Sequence, residues 1–367
     1  MQVVISGIGT AVPMHQFEQA EAGAVAAQFS GANAEQAHLL NALYRLSSVE
    51  TRGSVILNRA DGPLTERQEF FPPRSSEFLD GPSTADRMRC FEAAAAPLAV
   101  SAASRALQRS SVDPERVTHL VTVTCSGFSA PGFDFALIRE LPLRSDIERT
   151  QIGFMGCQAA LNALRVARAF VLADPQAVVL VCCVELCSLH YQYGWDSEQI
   201  VANALFADGA AACIVQAAPA DAILVPSPSR ILASGSTILP DSADAMSWRI
   251  TDHGFRMTLS SQVPSLLSQF IRPWLTEWLS THGLTPADIT QWAVHPGGPQ
   301  ILQVFAKSME LTRTNLRNSY EILRQHGNMS SCTILFVLDR LREQGGEGPC
   351  VAIGFGPGLT AEATLLV

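Results

Sequence analysis

Gly153-Phe154-Met155-Gly156-Cys157-Gln158-Ala159-Ala160 is the stretch on which the fold turns. Two glycines precede the cysteine and supply a sharp backbone turn. After it, Ala159, Leu161, Ala163, Leu164, Val166, Ala167 and Phe170 form a small, apolar, strongly helical run. Cys157 is therefore expected at the first turn of a mostly buried helix. Free N–H groups and the positive end of the helix dipole favour a thiolate there. The competing reading is a buried, inert cysteine, because free cysteine packs as a small hydrophobe.

Working outward, the flanking segments alternate between strand and helix. Upstream lie a strand at Val3–Ile8, an alanine-rich helical stretch from Glu18 to Leu46 broken at Gly31, and a helix from Arg87 to Arg109. Between them, Ser54 to Ser83 is rich in Pro, Gly and polar residues and reads as a covering loop. A strand at His119–Thr124 ends in the turn Cys125-Ser126-Gly127, and a helix spans Phe133 to Leu141. Downstream come a buried strand at Ala177–Val184 and a helix at Ser197–Leu205. Asp208–Ala211 reads as a tight turn into a strand at Ala212–Gln216. A proline-rich seam at Ala217–Pro228 divides the chain into halves 1–218 and 219–367. The second half expects strands near Ser229–Ser236, Trp292–His295, Cys350–Gly354 and Thr360–Leu366. Its helices are expected at Val263–His282, Gln300–Ser308 and Ser330–Gln344. Such alternation argues for layered α/β architecture with buried sheets.

Composition excludes several classes. With 367 residues, 47% of them hydrophobic, the chain can bury a large core. A formal charge of -9 and the lack of any Lys/Arg run argue against nucleic acid as a partner. Lys307 is the only lysine, so phosphate-bearing ligands must be gripped by arginine, by backbone N–H groups or by that residue. Nine cysteines form no disulfide framework. Cys182, Cys183 and Cys187 lack a second Cys/His pair at zinc-ligand spacing, so no metal is expected and the thiols read as reduced core residues of a cytoplasmic protein. The first residues lack a signal-peptide pattern, and no apolar run is long enough to span a membrane.

Three turns carry the polar chemistry: Cys157, His295 and Asn328. His295 follows the apolar pair Ala293-Val294 and enters Pro296-Gly297-Gly298, which places an imidazole at the rim of a sheet. Asn328 sits in Gly327-Asn328-Met329-Ser330-Ser331, just before a helix, where an N-cap is the competing role. A thiolate, an imidazole and an amide donor are the parts of a Cys/His/Asn acyl-transfer site. Spacing alone leaves open whether they meet.

Five motifs add a resemblance: Gly153–Cys157, Ala204–Gly209, His295–Leu302, Gly327–Ser331 and Gly354–Thr360. In this order the chain resembles the type III polyketide synthases, the chalcone-synthase-like family, from about Val3 to its C-terminus. Val184–His190 resembles the bacterial branch. The resemblance implies the thiolase fold: two similar α/β halves in a five-layered α-β-α-β-α body, working as a homodimer without metal or redox cofactor. It implies that Cys157 takes an acyl group from a CoA thioester. His295 would hold the thiolate as an ion pair and, with Asn328, stabilise the enolate from malonyl-CoA. Phe206 matches an aromatic gatekeeper, and Met257 stands where a second phenylalanine gate is expected. Cys125, Ala130, His190 and Trp248 fall at cavity-shaping positions, with Ala130 in a loop that reaches across the dimer. Ser330, Gly356 and Pro357 of the last two motifs are implied on the substrate side. Arg45 and Arg52 fall where the family binds CoA phosphates. The small Ala130 and the Met246-Ser247-Trp248 motif lean toward a fatty acyl-CoA starter, with alkylpyrone or alkylresorcinol products. Malonyl-CoA or an aromatic acyl-CoA as starter, a single-round condensing enzyme and a non-catalytic CoA-ester-binding protein are the alternatives.

Overall fold

In a computed structural model of the chain, residues 1–222 and 229–367 are described. Strand β6 (Val178–Leu186) is buried along its whole length. Its side chains alternate between two cores, because successive residues of a strand point to opposite faces. Val179, Val181 and Cys183 enter one core; Val178, Leu180, Cys182 and Val184 enter the other. Neighbouring Cys182 and Cys183 are thus separated by the sheet.

β6 lies at the centre of a five-stranded mixed sheet with β1 (Gln2–Ala11), β4 (His119–Thr124), β5 (Glu148–Gly153) and β7 (Asp208–Ala218), in the order β1-β7-β6-β4-β5. The second sheet runs β11-β12-β13-β8, from β8 (Ile231–Ile238), β11 (Gln291–Val294), β12 (Cys350–Gly356) and β13 (Thr360–Leu366). One core packs α5 (Ala159–Ala173) and α10 (Thr333–Gln344) between the two sheets. A second packs α3 (Thr84–Ser110) and α4 (Phe133–Glu140) on the outer face of the first sheet. A third packs α7 (Val263–Ser280) and α8 (Pro299–Ser308) on the outer face of the second. The result is the expected α-β-α-β-α layering.

Several expectations need correction. Asp208–Ala211 is not a turn but the start of β7, paired with β6 and β1. β5 was not anticipated: its sequence is polar, and it forms an exposed sheet edge. Nor was the hairpin of β9 (Met246–Thr251) and β10 (Gly254–Leu259), nor α9 (Arg317–His326). Pro226 and Pro228 of the proline-rich seam lie outside the described residues. The remaining helices are α1 (Gln19–Ser30), α2 (Ala34–Leu46) and α6 (Ser197–Leu205); short strands β2 (Gln16–Glu18) and β3 (Thr51–Gly53) pair beside them. No helix among the described residues is long and apolar enough to cross a membrane.

Candidate active site

Cys157 sits between the end of β5 and the first turn of α5, as expected, and is buried. Gly156 has φ +94°, and a Cβ there would lie 2.2 Å from Pro357 Cδ. Only glycine suits both the backbone and the approach of the Gly354–Gly358 turn. From the other side, Gln158 fills the space beside Gly356, where a Cβ would overlap its Oε1.

His295 follows β11, and its N–H bonds Ile353 O at 2.8 Å. A Cβ at Gly354 would touch both Gln158 Cα, at 3.2 Å, and His295 Cβ, at 3.6 Å. The histidine thus packs beside the residue that follows Cys157. A Cβ at Gly297 would lie 4.0 Å from His295 Nε2. Gly297 O also accepts Asn328 Nδ2 at 3.4 Å. Ser330 lines the same small cavity as Cys157. The fold therefore brings the three polar turns close together. Asn328 is not an N-cap of α10: its Oδ1 accepts Ser330 N–H at 2.9 Å, and its main chain bridges Phe206.

Electrostatics at this junction favour neutral groups taken singly. Burial pushes the Cys157 thiol up to about 12, against the pull of Ser330 and Asn328. Burial lowers His295 to about 3. A helix terminus alone therefore does not yield a thiolate here. Proton transfer from thiol to imidazole leaves the pair neutral overall, so each charge offsets the other's desolvation. Among the described residues, both ring nitrogens of His295 are buried and have no hydrogen-bond partner.

The cavity beside Cys157 measures about 20 Å³, and Cys125, Phe206, Trp248, Met257, Ser330 and Pro357 line it. Trp248 Nε1 donates to Cys125 O at 2.7 Å. His190 does not line it. Its Nε2 bonds Ser126 O at 2.7 Å, and its Nδ1 accepts Phe255 N–H at 3.0 Å. Burial pushes it down to about 3, so it is a neutral brace. Ala130 is exposed in the single chain and lines neither this cavity nor its neighbour.

An apolar annex of about 100 Å³ adjoins, sharing Cys187, Phe206 and Trp248 with the Cys157 cavity. Phe29 of α1, Leu57 and Phe71 of the covering loop, Tyr191, His190 and Arg52 are among its other walls. An outer cleft of about 830 Å³ opens on the other side, lined by Arg45, Leu205, Gly297 and Gly298. Arg45 is exposed there. Arg52 contradicts its expected role: it is 5% exposed, donates to Asn203 O and Phe206 O, and lines the annex rather than the outer cleft.

Glu185 escaped the sequence reading. It is fully buried in β6 and lines the Cys157 cavity. Its Oε2 accepts Ser126 Oγ at 2.7 Å and Cys125 N–H at 3.0 Å; its Oε1 accepts Ser331 Oγ. Burial raises its pKa, and those donors oppose the rise. A lone acid in the apolar run Val178–Leu186 was the available signal. Among the described residues, no group of three or more His, Cys, Asp and Glu side chains could hold a metal.

Models of the chalcone and stilbene synthase N-terminal and C-terminal domains match residues 2–219 and 230–367. The chain belongs to the chalcone and stilbene synthase family. It is an acyltransferase-type polyketide synthase of type III. One relative, the "alpha-pyrone synthesis polyketide synthase-like Pks18" of Mycobacterium tuberculosis, is 32% identical over 99% of this chain and 90% of its own length. The 3,5-dihydroxyphenylacetyl-CoA synthase of Streptomyces toyocaensis is 33% identical over 85% of this chain and 81% of its own. Among solved structures, PKS-I of the brown alga Ectocarpus siliculosus superposes with a TM-score of 0.92 at 29% identity, covering 100% of this chain and 98% of its own. The type III domain of Dictyostelium Steely1 gives 0.87 at 28%, covering 100% and 99%. The thiolase fold is thus established for this chain.

Proposed function

We propose that this polyketide synthase loads a fatty acyl group from CoA onto Cys157 and extends it with malonyl-CoA, releasing an alkylpyrone or alkylresorcinol. The apolar annex behind Phe206 and Trp248 carries this reading, because it offers an alkyl tail a dry wall next to the nucleophile. The α-pyrone synthesis for which the mycobacterial relative is named points the same way.

In this mechanism the Cys157 thiol passes its proton to His295, and the sulfur attacks the thioester carbonyl. The S–C bond to CoA breaks, and the leaving thiolate takes the proton back. Neutral His295, its pKa held low by burial, then keeps one N–H to donate. That N–H and Asn328 Nδ2 hold the thioester oxygen of malonyl-CoA while the bond to its carboxylate breaks. Carbon dioxide leaves, and the electron pair moves onto the oxygen as an enolate. The enolate carbon attacks the acyl carbonyl and releases the Cys157 thiolate. Arg45 at the outer cleft is the residue placed to meet CoA phosphate. No resident cofactor takes part in these steps.

The protein acts as a homodimer that pairs along β5, the open edge of its sheet. Phe135 and Met155, both exposed nearby, would be covered. Its nine free cysteines suit the reducing cytoplasm.

Mass spectrometry of products tests the proposal, with malonyl-CoA alone and with acetyl- to palmitoyl-CoA and benzoyl-CoA as starters. Pyrones or resorcinols that depend on Cys157 and on a long-chain starter support it. An aromatic product from malonyl-CoA alone, or efficient use of benzoyl-CoA only, overturns the fatty acyl starter.

A further inference from the structure

Arg52 is an unusual buried cation. Its Nη1 donates to Asn203 O at 2.8 Å and to Phe206 O at 2.6 Å, at the C-terminal end of α6. A guanidinium suits those free carbonyls and the negative end of the helix dipole. Its carbon lies 4.9 Å from the Phe17 ring centre and 5.9 Å from that of Tyr44. Its Nε is buried without a partner. Burial lowers its pKa, and Tyr44, Tyr191 and Asp208 oppose that. Such a burial is costly unless the geometry it enforces matters.

The other side of the side chain meets Gly327, where a Cβ would lie 3.0 Å from Arg52 Cγ and Cδ. The strand that carries Arg52 is tied to the same segment: Glu50 N donates to Arg324 O, and Thr51 Oγ1 to Gln325 O, each at 2.7 Å. Arg52 is thus clamped between the segment bearing Phe206 and the segment bearing Asn328. Those two segments bond each other directly, Asn328 N to Leu205 O at 2.8 Å and Ala207 N to Asn328 O at 2.9 Å.

We propose that Arg52 is a positioning residue that sets the Phe206 gate and the Asn328 amide relative to one another. It acts through their main chains, from a place in the wall of the annex. The inference rests on Asn328 working at the thioester oxygen, as proposed above.

The test uses full-length Arg52→Lys and Arg52→Met. Lysine keeps the charge but loses the planar fork. Turnover is measured with CoA thioesters and with N-acetylcysteamine thioesters, which carry no phosphates. The expected result is a kcat fall of about 10- to 100-fold for Arg52→Lys, equal on both thioester types, with KM nearly unchanged. In a Phe206→Ala background the same change should cost clearly less, because the gate it positions is gone. Three results overturn the proposal: a loss confined to CoA thioesters with raised KM, a fully additive loss that follows thermal stability, and native turnover. Asn328→Ala separates the levels. If it leaves turnover intact, the site assignment fails and Arg52's role with it. If it abolishes turnover while Arg52→Lys does not lower it, the positioning role alone fails.

Discussion

At the scale of single residues, the site depends on two buried groups that are each uncharged when alone. In the native chain burial outweighs the pull of Ser330 and Asn328 and holds the Cys157 thiol near 12, so in the proposed mechanism only proton transfer to His295 supplies a thiolate at pH 7. His295→Ala should therefore raise the apparent pKa of Cys157. Iodoacetamide labelling at pH 7 should fall at least about tenfold and recover as pH rises toward that value, read by peptide mass spectrometry. Equal labelling of both proteins would sink the pairing. Cys157→Ala should abolish condensation yet leave some malonyl-CoA decarboxylation, seen as acetyl-CoA by chromatography. Cys157, His295 and Asn328 were legible because each stands in a glycine-marked turn where a side chain can face a cleft. Arg52 was assigned to CoA phosphate through the family resemblance, and nothing local predicts that two distant carbonyls and Gly327 will enclose it. Glu185 went unnoticed because the three donors that make its burial tolerable come from β4's end and from Ser331, far away in sequence.

At the scale of elements, the β9–β10 hairpin decides the shape of the cavity. Trp248 and Met257 face each other across it, and Trp248 also stands edge-on to His190 and Phe255. Trp248→Ala should join the Cys157 cavity to the annex. The expected outcome is a shift toward bulkier or longer products on chromatograms, at a stability cost of at most about 3–5 kcal/mol. The hairpin was missed in the sequence because Ser247, Arg249 and Arg256 hide its few apolar residues, and its partners are a helix and a distant turn. α5 was legible for the opposite reason, since its face is continuous Ala and Leu. The turn before it makes its own prediction. Gly156→Ala meets both the left-handed backbone and Pro357, so urea unfolding should show a loss of about 1–3 kcal/mol or more, with activity falling alongside.

At the scale of the whole molecule, buried acids tie stability to pH. Burial raises Asp208 from 3.8 to about 6 despite bonds from Ser188, Val55 and Ser54. Between those values the folded chain holds a proton that the unfolded chain has released. This contribution to stability is therefore present at low pH and is lost as pH rises through about 6, a swing on the order of 3 kcal/mol. Asp208→Asn should lack that slope, so the native-minus-variant difference in unfolding free energy should fall by about 2–3 kcal/mol between pH 4 and pH 7. Assembly is a second matter at this scale. Placing a charge on the open edge face, as in Phe135→Asp, should shift sedimentation from dimer to monomer; an unchanged dimer would show that the copies meet elsewhere. The layered α/β class was visible in the alternation of strand and helix, whereas β5 was not, since an exposed edge strand carries no apolar pattern.

The middle layer has a consequence for how the chain comes into being. α5 is made early and α10 late, yet each needs both sheets around it. A nascent chain that has emerged only as far as β7 therefore displays a greasy Ala/Leu helix with half its neighbours still unwritten. Neither half alone supplies both sheets that bury α5 and α10, so a ribosome-bound chain that ends at β7 should bind holding chaperones more than the whole chain does.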